Sequence, residues 1–588
     1  MSMLICLSAL PFTWFTARAE DERDWTGYTP IFSKSQLNDI RNNLTGKYYL
    51  TADIVFNQAD FEPSGSFYND GYGWIPIGSA PFQGVLDGNG YTISGLTINN
   101  SDTGTVYAGL FCEIGSSGTI RNLHINGGSI TASSNVSYSG SITAYNFGTI
   151  SNCSSNINVT GSYAGGITGY NTGSITDCNN YGNISMSAQS SILYEYSLNI
   201  GGIAGISTIA SKISNCANFG AIMAELSGYS SDPITSYAGG ITGRNLGSLT
   251  TCINNGAVTV LVNAKNRGAG GITGENSRGT ITECINKGTL SGPYSAGIAA
   301  VTNYGYIRDC GNMGNITAYQ SAAGISGIND YTAISRCFNS GDIRSTSTIG
   351  YSAGISANDN SSIILDCYNT GNINGVYCNG IAGLRGSTSI LNCYNIGSVS
   401  GTHLGGISSG IKKITTSYFW DIGYLNPETE AELAISRTRD QLIQPTTYAG
   451  FDFNTVWEMS ENTDYPFPTL RTIAHMEAVD DTTVFDGGNG KLHNPYRITT
   501  AAQLNAVRNY MYSSFILEND IVFTEEDYAE GGNFYNDGLG WVPIGTESTS
   551  FMGHFNGDGY TITGLKINNN ISKRVYAGLF GNTGGTVY

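Results

Sequence analysis

Gly165-Gly166-Ile167-Thr168-Gly169-Tyr170-Asn171-Thr172-Gly173-Ser174-Ile175-Thr176-Asp177-Cys178, continuing Asn179-Asn180-Tyr181-Gly182-Asn183-Ile184, is a phrase that the chain repeats. It returns from Gly239 and Gly270 and, more loosely, from Ala296, Ala323, Ala353 and Asn379. Each unit carries short apolar pulses separated by Asn and Gly, too brief for a helix and too rich in Gly for one to survive. Self-similarity of this kind marks a stacked solenoid, and three short strands joined by turns make one coil of a β-helix. The expected fold is all-β: a right-handed parallel β-helix with small α/β capping segments. Roughly ten coils at about 4.8 Å each predict a rod on the order of 50 Å long.

The cysteines set the register. Nine of the 12 fall at one phase: Cys153, Cys178, Cys216, Cys252, Cys284, Cys310, Cys337, Cys367 and Cys393, between 25 and 38 residues apart. Each follows an Ile or Leu, as in Ile281-Thr282-Glu283-Cys284, and both are expected to face the core. Leu123 holds the slot before the series and Ser417 after it, so the slot asks for a smallish residue rather than for sulfur chemistry. A free, buried thiol acting as a small hydrophobe is the expected state, since an odd ladder cannot pair completely. CxxC pairs are absent and His124, His403, His475, His493 and His554 are scattered, so neither metal nor cofactor is expected.

Two residues after most of these cysteines stands Asn, and two further on Gly: Asn254 with Gly256, Asn286 with Gly288, Asn339 with Gly341, Asn369 with Gly371. Asn tolerates left-handed backbone and Gly prefers turns, so the bend between strands is expected here. Stacked across coils, the amides should form a hydrogen-bonded ladder. The units differ in length at one place, with insertions near 186–199, 223–237 and 259–269. Insertions at one phase protrude along one edge, the usual binding edge of a solenoid. Tyr194, Tyr196, Tyr229 and Tyr237 are therefore the candidate ligand-binding residues, with glycans or host surface proteins as the candidate partners.

A second repetition flanks the first. Residues 28–111 and 496–580 are copies of one module, in which Ser35-Gln36-Leu37-Asn38-Asp39-Ile40-Arg41 answers to Ala502-Gln503-Leu504-Asn505-Ala506-Val507-Arg508. Tyr68-Asn69-Asp70-Gly71 through Trp74-Ile75-Pro76-Ile77-Gly78 likewise answers to Tyr535-Asn536-Asp537-Gly538 through Trp541-Val542-Pro543-Ile544-Gly545. The opening Leu4-Ile5-Cys6-Leu7 run ends in Ala17-Arg18-Ala19 and reads as a signal peptide without its positive n-region. The expected plan is a signal peptide at 1–19, an N-terminal capping module at 20–104 and the β-helix at 105–424. A C-terminal cap at 425–475 follows, with a helix at Ser436–Gln444 and an aromatic strand around Phe451–Trp457. A linker at 476–494 leads to a second capping module at 495–588, which stops where its own coils should begin, so the chain reads as a fragment.

Composition excludes several roles. With 78 Gly and only 13 Pro the chain is neither collagen-like nor Pro-rich and disordered. A formal charge of −18 argues against nucleic acid, because nothing here could displace counterions from a phosphate backbone. No stretch after the leader is long and apolar enough to span a bilayer.

Gly109-Leu110-Phe111 and Gly578-Leu579-Phe580-Gly581, with the looser Gly166-Ile167-Thr168-Gly169, Gly202-Ile203-Ala204-Gly205, Gly240-Ile241-Thr242-Gly243 and Gly271-Ile272-Thr273-Gly274, carry a family likeness. The chain resembles the GLUG-motif proteins, bacterial surface proteins found in adhesin-like chains and in the non-catalytic N-terminal part of some immunoglobulin A peptidases. That resemblance implies a secreted or cell-surface protein acting as an adhesin-like binding or display scaffold, with no catalytic residues to carry over. The alternatives are a pectin-lyase-like, polysaccharide-degrading enzyme and a passive stalk for a catalytic domain elsewhere. The first needs carboxylates converging on one face. Asp177, Glu283, Asp309 and Asp366 share the slot before a cysteine, but Asn152, Asn215, Thr251 and Arg336 fill it in other units, so an enzyme is not expected.

Overall fold

The computed structural model describes residues 24–588 except 103, 135, 187–197, 227–234, 263–265, 384–387, 411–412, 421–433, 461–465, 472–484, 488–494, 510–513, 530–531, 546–550, 552–553, 569–576, 584–585 and 588. The chain divides into two compact units, Thr29–Val479 and Asp480–Tyr588 together with Met1–Tyr28. The leader and most of the expected linker lie outside the described residues.

In the larger unit one turn runs through three sheets. Thr168–Asn171 lies in the third sheet, Ser174–Thr176 in the first, and Asn179–Asn180, Ile184–Met186 and Leu198–Gly201 in the second, before Ala204–Ser207 returns to the third. Each strand pairs in parallel with its equivalent one turn away, as Ile175 with Ile213 and Thr168 with Ala204. This is a parallel β-helix, and the three strands expected per coil are broken into shorter pieces by sharp corners.

The first sheet has fourteen strands in chain order, from Thr29–Ile31 to Lys413–Thr415. At about 4.8 Å per strand it spans roughly 60 Å, more than the ten coils expected. The surplus comes from the N-terminal module: Thr29–Ile31, Lys47–Leu50 and Val85–Asp87 pair in the same sheet, and Leu86 is in register with Ile120. Residue 105 is therefore no structural boundary. Tyr48 is in register with Leu86, and both are buried in the column that the repeat isoleucines continue, so the helix begins inside the expected cap.

The core column of Ile120, Ile150, Ile175, Ile213, Leu249, Ile281, Ile307, Ile334, Ile364, Ile390 and Ile414 is at most 2% exposed, and so are all nine cysteines. Ile281 and Cys284 stand an odd number of residues apart, and in a continuous strand they would face opposite sides. A bend between them reconciles the two. The residue before each cysteine is left-handed, with φ between 50 and 55° at Asn152, Asp177, Asn215, Thr251, Glu283, Asp309, Arg336, Asp366 and Asn392. Outside Gly such a conformation costs about 1–2 kcal/mol per residue, and here it recurs because burying both Ile and Cys outweighs that cost.

The asparagines expected to bend are strand residues instead. Asn254 pairs with Asn286, and both are fully buried. Each amide donates to the next: Asn180, Asn218, Asn254, Asn286, Asn312, Asn339, Asn369 and Asn395 form a chain at 2.7–2.9 Å. Each also donates to the carbonyl of the Gly two residues on, as Asn286 to Gly288 at 2.9 Å. That glycine is required by crowding rather than by φ. A Cβ on Gly288 would stand 2.0 Å from the Gly256 carbonyl oxygen of the turn before.

The C-terminal segment adds a strand and then closes a flank. Ala434–Arg437 pairs in parallel with Ser417–Trp420, the expected helix contracts to Arg439–Leu442, and the aromatic strand is Trp457–Met459, antiparallel to Pro468–Leu470. Leu442, Tyr448, Phe451, Trp457, Phe467 and Leu470 pack on Phe338, Tyr368, Tyr394 and Tyr418. These four immediately follow Cys337, Cys367, Cys393 and Ser417, so they face outward, and the segment seals the side of the last turns. The Ala449 N–H donates to the Tyr418 hydroxyl at 3.0 Å, and the Trp457 indole to Asp366 at 3.3 Å.

The smaller unit repeats the opening of the larger one. Tyr496–Ile498, Ser514–Leu517, His554–Asn556 and Thr586–Val587 form a parallel sheet, with helix Ala501–Ala506 capped by Thr500. Trp541 donates to the Leu579 carbonyl at 3.2 Å as Trp74 does to Leu110 at 3.1 Å, so the two copies share their anchoring contacts.

Candidate functional site

Two outward columns run side by side along the larger unit. In the second sheet Tyr107, Tyr138 and Tyr163 are in register, followed by Asn199 and Tyr237. In the third sheet Glu113, Tyr145 and Tyr170 are in register, followed by Ile206, Arg244 and Glu275. The Gly-Gly-Ile corner between them brings the columns together. A Cβ on Gly165 would lie 2.1 Å from the Thr168 carbonyl oxygen, and one on Gly169 2.8 Å from that of Tyr163. No side chain fits inside so tight a corner, and the rings on either side of it meet.

The result is a six-ring platform. Tyr138 stacks on Tyr163 at 4.8 Å and on Tyr107 at 6.0 Å, and meets Tyr145 across the corner at 4.6 Å. Tyr145 meets Tyr170 at 4.9 Å and stacks on Phe147 at 6.1 Å. Tyr107 is 41% and Phe147 39% exposed, so the platform opens to solvent at its rim. Burial, with the neighbouring phenols, raises the Tyr145, Tyr170 and Tyr107 hydroxyls above their ordinary range. They stay protonated at neutral pH and can donate as well as accept. Burial also raises the Glu113 carboxyl.

Further along the columns Arg244 pairs with Glu275 at 2.7 Å. Burial lifts the Glu275 carboxyl despite that partner, and burial and the Glu275 charge lift the Tyr237 hydroxyl.

Of the tyrosines assigned from sequence to the insertion edge, Tyr194, Tyr196 and Tyr229 lie outside the described residues. Tyr237 belongs to strand Thr235–Gly239 and is 7% exposed, so it is a column residue and not a protruding one. The correction has a simple cause: the segment read as an insertion at 223–237 overlaps strand Thr235–Gly239, in which Tyr237 is packed. The six platform rings escaped sequence reasoning. A signal that could have found them is Tyr-Ala-Gly at Tyr107 and Tyr163, with Tyr-Asn at Tyr145 and Tyr170.

The cysteine column lies inside the coil. The Cys284 thiol donates to the Thr282 carbonyl at 3.2 Å, and burial pushes Cys178, Cys284, Cys337 and Cys367 well above the usual thiol range. The acidic residues before the cysteines have structural partners: Asp309 binds Arg336 at 2.6 Å and Arg308 at 3.1 Å, and Asp366 holds Trp457 and Asn392. Among the described residues no group of three His, Cys, Asp or Glu side chains could hold a metal ion. No described helix is long and apolar enough to cross a membrane.

No family model matches the chain, that of the GLUG repeat included. A stretch of 117 residues, 20% of this chain, is 44% identical to 12% of a protein of Evansella cellulosilytica provisionally named a Gly-rich membrane protein. Another of 139 residues, 22% of this chain, is 37% identical to 1% of Halomucin from Haloquadratum walsbyi. A solved structure from Bacteroides ovatus, provisionally titled an immunoglobulin A1 protease, aligns over 75% of this chain and 92% of its own at 15% identity and a TM-score of 0.26. The chain thus spans only a small part of the length of the two sequence relatives.

Proposed function

We propose that this chain is an exported, surface-displayed repeat scaffold that binds neutral glycan chains through the Tyr138–Tyr145 platform and performs no chemistry on them. The observation that carries the reading is the platform itself. Six clustered rings offer apolar ring edges, protonated phenol hydroxyls and no cation, which is what an uncharged, hydroxyl-rich, partly apolar ligand requires. A chain of formal charge −18 repels polyanions at long range, which favours neutral glycans over acidic ones. A stack of rigid turns displays the platform at a fixed angle, and aromatic side chains bind at little entropic cost. The matched Gly-rich membrane protein and Halomucin support an exterior setting.

The test is affinity electrophoresis in neutral polysaccharides (glucans, galactans and mannans), confirmed by calorimetry. Wild type is expected to be retarded by at least one of them. Tyr138→Ala with Tyr145→Ala should weaken that binding about tenfold or more, at roughly 0.5–1.5 kcal/mol per aromatic contact, with an unchanged far-UV spectrum. Absence of retardation in every neutral polymer would sink the reading, and so would release of reducing sugar by the purified chain.

A further inference from the structure

Two glutamates stand in the outward column of the third sheet, Glu113 at its start and Glu275 farther along. Their surroundings differ. Glu275 has Arg244 in the adjacent turn and pairs with that guanidinium at 2.7 Å. Glu113 has Tyr145 in the adjacent turn instead, and its charge reaches the Tyr107 hydroxyl across the glycine corner. Among the described residues nothing pairs with or hydrogen-bonds to the Glu113 carboxylate, and burial is what raises it. A carboxylate drawn partly out of water with no partner carries a desolvation cost that a bound cation offsets. One glutamate of the column has its cation built in, and the other has an aromatic platform where that cation would be.

The platform narrows which cation fits. The Tyr107 and Tyr145 rings lie 5.5 Å apart with tilted planes, and Tyr107 is well exposed, so this end of the platform is reached from solvent. Glu113 itself is only partly buried. A cation beside ring faces is attracted by their quadrupoles. A primary ammonium adds three N–H donors, one for the carboxylate and the others for phenol oxygens, which accept as well as donate. A sugar in which an amine replaces one hydroxyl keeps the apolar ring face that lies on the tyrosines. The formal charge of −18 favours such a ligand at long range as well.

We infer that Glu113 makes the platform selective for amine-bearing sugars, with the ammonium of a glucosamine-type residue held between the Glu113 carboxylate and the Tyr107 and Tyr145 rings. The inference rests on glycan binding at the platform and adds a charged preference to it. The experiment is calorimetry on the full chain in weakly acidic, low-salt buffer. The probes are the β-1,4-linked glucosamine tetramer, its fully N-acetylated counterpart and tetralysine. On wild type the amine tetramer should bind about tenfold tighter than the acetylated one and than tetralysine. Glu113→Gln should bring the two sugars to about equal affinity. Equal binding of the two sugars by wild type overturns the inference and leaves glycan binding at the platform standing. A preference that survives Glu113→Gln overturns the role of Glu113, and tetralysine binding as tightly as the amine tetramer overturns the sugar. Binding of neither tetramer overturns the inference too, whereas the platform reading falls only if the neutral polymers also fail to bind. Should Glu113→Gln alter the far-UV spectrum, the comparison of the three probes on wild type decides.

Discussion

Asp359 occupies the one acidic position in a second amide ladder, and replacing it with asparagine should abolish a specific pH dependence of stability. Its column is built from Asn146, Asn171, Ser207, Asn245, Asn276, Thr302 and Asn329, each in register with the next. The Asn146–Asn171 and Asn245–Asn276 amides hydrogen-bond at 2.8 Å, and Asn329 donates to Asp359 at 3.1 Å. Asp359 is fully buried, and burial raises its carboxyl from 3.8 to about 7, against hydrogen bonds from Ser362 and Asn329 that act to lower it. A carboxyl whose folded pKa exceeds its unfolded value stabilises the fold while protonated. That contribution is complete below about pH 4 and is lost as the pH rises through 7. Three units at about 1.4 kcal/mol each set a ceiling on the order of 4 kcal/mol, and relaxation around a charged Asp359 brings the expected loss to roughly 2–4 kcal/mol.

Asp359→Asn removes the titration and supplies the amide that other turns carry. Urea unfolding followed by far-UV circular dichroism at about pH 4 and about pH 8 measures both proteins. The variant should match wild type near pH 4 and exceed it by roughly 2–4 kcal/mol near pH 8. A difference between the two proteins that is the same at both pH values refutes the reasoning, because a constant offset cannot come from a group that titrates between them.

Gly288→Ala forces a Cβ to 2.0 Å from the Gly256 carbonyl oxygen, so the two turns must separate locally; a loss of about 1–3 kcal/mol is expected in the same urea assay, and an unchanged midpoint would show that the column tolerates a methyl group. The nine ladder cysteines are at most 2% exposed while Cys112 is only half-buried. Among the described cysteines a thiol reagent should therefore label Cys112 first and the ladder only after unfolding, read by mass spectrometry; rapid labelling of Cys284 in the native protein would contradict its placement.

The primary structure by itself determined the neighbours along the axis. A repeat places residue i above its equivalent one turn later, so the Ile and Cys columns and the Asn254–Asn286–Asn312 ladder follow from spacing alone. The same logic exposed the two copies of the opening module, because Trp74 and Trp541 recur in the same company. What spacing cannot specify is the angle between strands within one turn. The left-handed bend fell on Glu283 rather than on Asn286, because two inward residues an odd number apart demand it just before the second. The flank sealed by Trp457 became visible only once Tyr368 and Tyr394 were seen to face outward. The platform of Tyr138 and Tyr145 and its opening at the rim depend on columns that meet across a glycine corner. Those are properties of how the turn folds in cross-section, where steric contact rather than periodicity decides which side chains share a surface.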